Sequence, residues 1–102
     1  MGDKRVSFRR AAKVDANQPE IVDAFRRMGC SVLIISQLKR CCDLFIAKND
    51  KTIAIEVKDG RLPLSKRQLT EGEMDFMHSW KGLYFVVESL DDVLRVVEEL
   101  EA

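Results

Sequence analysis

The chain has 102 residues, 46% hydrophobic and 33% charged, which implies one domain with a modest core and excludes disordered, collagen-like and coiled-coil chains. No apolar run approaches the roughly 18 residues of a membrane span and no secretory signal is visible, so the expectation is a cytoplasmic protein with no membrane partner and reduced cysteines. The 17 basic and 17 acidic side chains cancel, but 15 basic and 8 acidic residues fall in 1–67 against 2 and 9 in 68–102, so a polyanion would approach the first two-thirds of the chain.

Residues 1–16 read as a basic arm, with Arg9, Arg10 and Lys13 as candidate nucleic-acid contacts, ahead of a single domain over 17–102. Asn17 suits a helix N-cap, Pro19 the first turn, and Glu20 the capping-box position. Ile21, Ala24, Phe25 and Met28 then recur at helical spacing, and Gly29 stops the helix. Residues 31–36 are short, apolar and rich in β-branched side chains, which predicts a buried strand. A polar loop over 37–41 leads to a second strand over 43–48 and a tight Asn49-Asp50 hairpin turn. A third strand over 52–58 follows, then a loop containing Pro63.

The spacing of Thr70 and Glu73 predicts a capped helix over about 70–79, weakened by Gly72. A fourth strand is expected over 83–87. Ser89 and Asp92, again at capping-box spacing, open a last helix to about residue 99, with Val93, Leu94, Val97 and Leu100 apolar. The order α-β-β-β-α-β-α predicts an α/β fold: a mixed four-stranded sheet with helices on both faces, its second and third strands antiparallel and its third and fourth parallel.

The third strand carries the chemistry. Alternation puts Glu56 and Lys58 on one face and Ile55 and Val57 on the other. The hairpin brings Asp43, at the start of the second strand, opposite the end of the third. Two carboxylates and a lysine therefore converge at one end of the sheet. Asp and Glu oxygens suit Mg²⁺ or Mn²⁺, and a lysine can orient water or stabilise charge on a phosphoryl group. By itself such a cluster is also what a surface ion pair looks like. Arg61, Lys66 and Arg67 follow in the next loop and read as phosphate contacts. His78 reads as a packing or surface residue. The spacing of Cys30, Cys41 and Cys42 does not make a zinc site, and Phe76 and Trp80 are expected to pack on the sheet.

Asp43 followed thirteen residues later by Glu56-Val57-Lys58 resembles the Asp…Glu-x-Lys signature of the PD-(D/E)XK nuclease superfamily, whose core order is αβββαβ. More narrowly, the chain is similar to small stand-alone VRR-NUC nucleases of phages and prophages, themselves similar to Holliday-junction resolvases. The segments carrying the likeness are Asn17-Gln18-Pro19-Glu20-Ile21, Cys42-Asp43-Leu44-Phe45, Glu56-Val57-Lys58-Asp59-Gly60 and Ser65-Lys66-Arg67-Gln68-Leu69-Thr70. The resemblance implies a restriction-endonuclease-like fold with an extra C-terminal helix. It implies Mg²⁺ or Mn²⁺ on Asp43, Glu56 and the backbone carbonyl of Val57, with Lys58 as catalytic lysine. Glu20 matches an acidic residue that completes such sites through water, beside its reading as a capping residue.

Two positions depart from the family pattern. Cys42 stands where a proline is usual, and Glu73 stands where a glutamine is common. Glu73 reads first as a capping residue and Gln68 as an incidental surface residue. The activity implied is that of a structure-selective DNA endonuclease on four-way junctions or flaps, working as a homodimer in the bacterial host cytoplasm. The alternative is an inactive nucleic-acid-binding or protein-interaction module on the same fold.

Overall fold

The computed structural model describes residues 14–102, so Arg9, Arg10 and Lys13 lie outside the described residues. Helix α1 (Gln18–Arg27) leads to strands β1 (Ser31–Ile34), β2 (Leu44–Lys48) and β3 (Lys51–Val57). A short 3-10 turn (Leu64–Lys66), helix α2 (Glu71–Ser79), strand β4 (Tyr84–Val87) and helix α3 (Leu90–Glu101) complete the chain. The sheet order is β1-β2-β3-β4. The first two pairings are antiparallel and β3 runs parallel to β4, so the expected αβββαβ order with a further C-terminal helix is observed.

Central position explains the burial of β3. Ile53, Ile55 and Val57 point into the main core, against Ile21, Val22 and Phe25 of α1 and Val93, Val96, Val97 and Leu100 of α3. Each of these side chains, taken wholly out of water, contributes about 1.5–3 kcal/mol before chain entropy is charged. Ala54 faces the other way, into a smaller core of Ile35 and Cys42 flanked by Phe45, Phe76 and Tyr84. Helix α2 covers that face thinly: none of its residues is fully buried, and Phe76 stacks on Trp80, which stacks on Phe45.

The Asn49-Asp50 turn forms as expected, with both residues at positive φ (56° and 65°), the conformation a two-residue hairpin loop requires. It pairs Leu44 with Ile55 and so fixes Asp43 beside the end of β3.

Several local expectations need correction. Strand β1 is an exposed edge rather than a buried strand: it pairs with β2 alone, and Leu33 is 59% exposed. Met28 and Leu94 also face outward, while Val22 and Val96 take the core positions. Asn17 forms no cap, since its backbone is already helical (φ −85°, ψ −3°). Its Nδ2 instead donates to the main-chain carbonyls of Lys58 (3.0 Å) and Glu88 (3.3 Å), clamping the ends of β3 and β4. Ser89 makes no side-chain cap either, and Asp92 accepts from the Glu88 N–H at 2.8 Å. No described helix is long and apolar enough to cross a membrane.

Candidate active site

The carboxylates converge where β3 leaves the sheet on its α2 side. A cleft of about 290 Å³ opens there, lined by Ser36, Leu38, Lys39, Arg40, Cys41, Cys42, Asp43, Glu56, Thr70, Gly72 and Glu73. Its floor is β3 and its walls are the β1–β2 loop and the start of α2. These walls approach closely at Gly72, where a Cβ would lie 3.1 Å from Arg40 Cγ and 3.3 Å from Arg40 Cα. The same glycine that weakens α2 as a helix therefore admits the loop that carries Asp43.

Asp43 is anchored through its side chain. The Val57 N–H donates to Asp43 Oδ2 at 2.8 Å, and the Asp43 N–H donates to the Ile55 carbonyl at 3.0 Å. Glu56 is 2% exposed, and its Oε1 is buried with no hydrogen-bond partner. Burial, then the Asp43 carboxylate within hydrogen-bonding reach, then Glu73, push the Glu56 carboxyl up to about 11. Its proton is what makes three crowded carboxyl groups tolerable in a buried place.

Lys58 extends the constellation. Its Nζ donates to Glu73 Oε1 at 2.9 Å. The same oxygen accepts the Thr70 N–H at 2.8 Å, and the Glu73 N–H donates to Thr70 Oγ1 at 3.2 Å. The expected capping box is thus complete, and its glutamate simultaneously holds the lysine. Burial works against the Lys58 charge, but Glu73, with Glu56 and Asp15, outweighs it and raises the ammonium above the usual lysine value. Burial raises Glu73 in turn, yet the hydrogen bonds from Lys58 and Thr70 bring it below the usual carboxylate value.

The other expected residues lie elsewhere. Glu20 neither closes a capping box nor lines the cleft; it lines a separate pocket with Asp59, Gly60, Arg61, Arg67 and Glu88. The acidic side chain ahead of α1 that does face the cluster is Asp15. Burial raises its pKa, Lys58 opposes this, and Asp43, Asp59 and Glu73 add to it. Arg61 grips Asp59 through Nε (2.9 Å) and Nη2 (3.0 Å), and Arg67 contacts Glu88 (3.2 Å), so both cations already have carboxylate partners. Lys66 sits exposed on the 3-10 turn.

Sequence reasoning passed over Asp15, Lys39 and Arg40. Lys39 and Arg40 lie four and three residues before Asp43, and that adjacency of cations to a candidate ligand was the available signal. Arg40 pairs with Asp75 of α2, which ties the loop to the helix. Cys42, in the position where proline is usual, is buried against β3; burial, then Cys41, push its thiol up to about 12, which leaves it a packing residue. Comparison with known proteins returned no match to any family model, curated protein or solved structure.

The donor chemistry suits a hard divalent cation. Asp43 and Glu56 are oxygen donors close together, Glu56 Oε1 is unpartnered, and the nearby lysine is already engaged by Glu73. Among the described residues no three acidic, histidine or cysteine side chains already stand at metal-ligand geometry. A cation here would therefore need a main-chain oxygen or water as well.

Proposed function

We propose that this protein is a Mg²⁺- or Mn²⁺-dependent endonuclease of the PD-(D/E)XK type that hydrolyses phosphodiester bonds in branched DNA. The observation that carries the proposal is the buried Glu56 carboxyl beside Asp43, its Oε1 without a hydrogen-bond partner, with Lys58 two residues further along the chain and held by Glu73. A purely structural ion pair would use Lys58 to neutralise Glu56. Here Glu73 takes the lysine, and two carboxyl groups are left facing one another.

Asp43, Glu56 and the main-chain carbonyl of Val57 are the donors assigned to the metal. When bound, the metal would acidify water and neutralise charge on the phosphate. Asp43 is oriented by the Val57 N–H, so its free oxygen is held in place before any ligand arrives. Lys58, kept charged by Glu73, would donate a hydrogen bond to an attacking water or to a phosphoryl oxygen as negative charge develops there. Lys39 lines the cleft and Lys66 is exposed on the loop that follows β3, so both would supply cations, while Arg61 and Arg67, in the separate pocket with Glu20, would exchange Asp59 and Glu88 for phosphate oxygens. Two copies of the chain would present two such clefts to the two strands of a branch. The three free thiols fit a reducing compartment.

Calorimetric titration with MnCl₂ tests the donor assignment. Wild type is expected to bind with proton release, because Glu56 must ionise to ligate, and Asp43→Asn and Glu56→Gln to show no binding. Failure of wild type to bind at millimolar metal would overturn the proposal.

A further inference from the structure

The loop between β3 and α2 carries apolar side chains that the hydrolytic cluster does not use. Leu64 is 69% exposed, the highest of the large hydrophobic residues described, and Leu62 is 39% exposed, with Pro63 between them. Isolated exposed leucines are ordinary. These two differ in setting. The loop departs directly after Lys58 and returns at Thr70, whose N–H bonds the Glu73 carboxylate that holds Lys58, so both roots of the loop belong to the cleft. Its flanks are Arg61, Lys66 and Arg67.

The loop is also braced. The Leu62 N–H donates to Asp59 (3.0 Å), the Lys66 N–H to Pro63 (2.8 Å) and the Arg67 N–H to Leu64 (3.0 Å). Arg67 Nε donates to the Leu62 carbonyl (2.7 Å) and Gln68 Nε2 to the Leu64 carbonyl (2.8 Å), so Gln68 has a definite role in holding the tip. A water-exposed apolar tip with this many anchors is presented rather than merely tolerated, and its ordering cost on binding is already met.

We infer that Leu64, supported by Leu62 and Pro63, is a wedge that inserts into the base stack where duplex DNA is interrupted, placing the branch point beside the cleft. The inference rests on the nuclease reading above and names what that site selects. Apolar side chains enter base steps that are already unstacked at much lower cost than continuous duplex, which converts an exposed leucine into structure selectivity. Residues 60–70 carry three cations and no acidic side chain, and Lys66 has no carboxylate partner among the described residues, which favours a polyanion over a protein or a second copy of this chain as the occupant.

The test is binding of a flap and a four-way junction, each with 2-aminopurine at the branch, beside a linear duplex of equal length. Calcium replaces the catalytic metal so that nothing is cut. Wild type should bind the branched DNAs more tightly and brighten the 2-aminopurine. Leu64→Ser should lose about tenfold in branched-DNA affinity, with most of the brightening, while duplex affinity stays within about twofold. Leu64→Met should restore both, which a merely structural role in the loop would not require. Binding of all three DNAs with equal affinity and no brightening, or an unchanged Leu64→Ser variant, overturns the wedge and leaves the nuclease reading standing. Absence of binding to every DNA overturns the nucleic-acid reading, and the wedge with it.

Discussion

Replacing Glu56 by glutamine should make the protein more stable. The folded chain keeps Glu56 protonated up to about 11, against an ordinary value of 4.5. Below the ordinary value both folded and unfolded states hold the proton, and the site costs nothing in this respect. As pH rises above it, the unfolded glutamate ionises while the folded one does not, so stability falls with pH until the folded group itself ionises. Between about pH 4.5 and 7.5 the ceiling on that loss is about 4 kcal/mol. The cleft opens to water, and relaxation there would leave about 1–2 kcal/mol.

Glutamine keeps the volume, carries no charge at any pH and can donate to Asp43. Glu56→Gln should therefore match wild type near pH 4.5 and melt about 4–10 °C higher near pH 7.5, with the gap widening further toward pH 9. Thermal unfolding followed by circular dichroism in EDTA measures this. A variant no more stable than wild type at neutral pH, or a difference independent of pH, would refute the argument that Glu56 is held among repelling carboxyl groups.

Other outcomes follow from the same geometry. Gly60→Ala would place a Cβ 2.8 Å from the Glu88 carbonyl oxygen, where β3 and β4 end together, and should cost about 1–3 kcal/mol, read as a lower melting temperature; an unchanged melt would show that this approach is not enforced. Glu73→Gln removes the charge that raises Lys58, so the alkaline limb of a pH–rate profile should move to lower pH while the helix cap largely survives; an unmoved limb would separate Lys58 from the reaction.

The parts of the fold governed by near neighbours were readable in the residues. Alternation in β3 placed Glu56 opposite Ile55 and Val57, and the Asn49-Asp50 turn set the register that brings Asp43 to it. Thr70 and Glu73 cap α2 as their spacing implied. What escaped depends on contacts distant in the chain. Asn17 has the identity of a cap, but the main-chain carbonyls of Lys58 and Glu88 lie within reach of its amide, and they win it. Glu73 read as a capping residue, and the oxygen that accepts from the Thr70 N–H also accepts from Lys58, a partner that the capping spacing does not imply. Asp15 sits in what read as an arm, and only the packing of α1 against the sheet brings it toward Lys58. The exposure of β1 follows from its place at the edge of the sheet, which no local pattern encodes.

Cleavage of a labelled four-way junction, a flap and a linear duplex with Mg²⁺, with Mn²⁺ and with EDTA decides whether this chain is a metal-dependent nuclease. Wild type is to be compared with Lys58→Met and Glu56→Gln, each shown to be folded. Metal-dependent cutting of the branched DNAs by wild type, abolished in both variants, is the predicted result. No cutting of any substrate by a folded wild type that binds the metal, or cutting that survives loss of Lys58, would contradict the account.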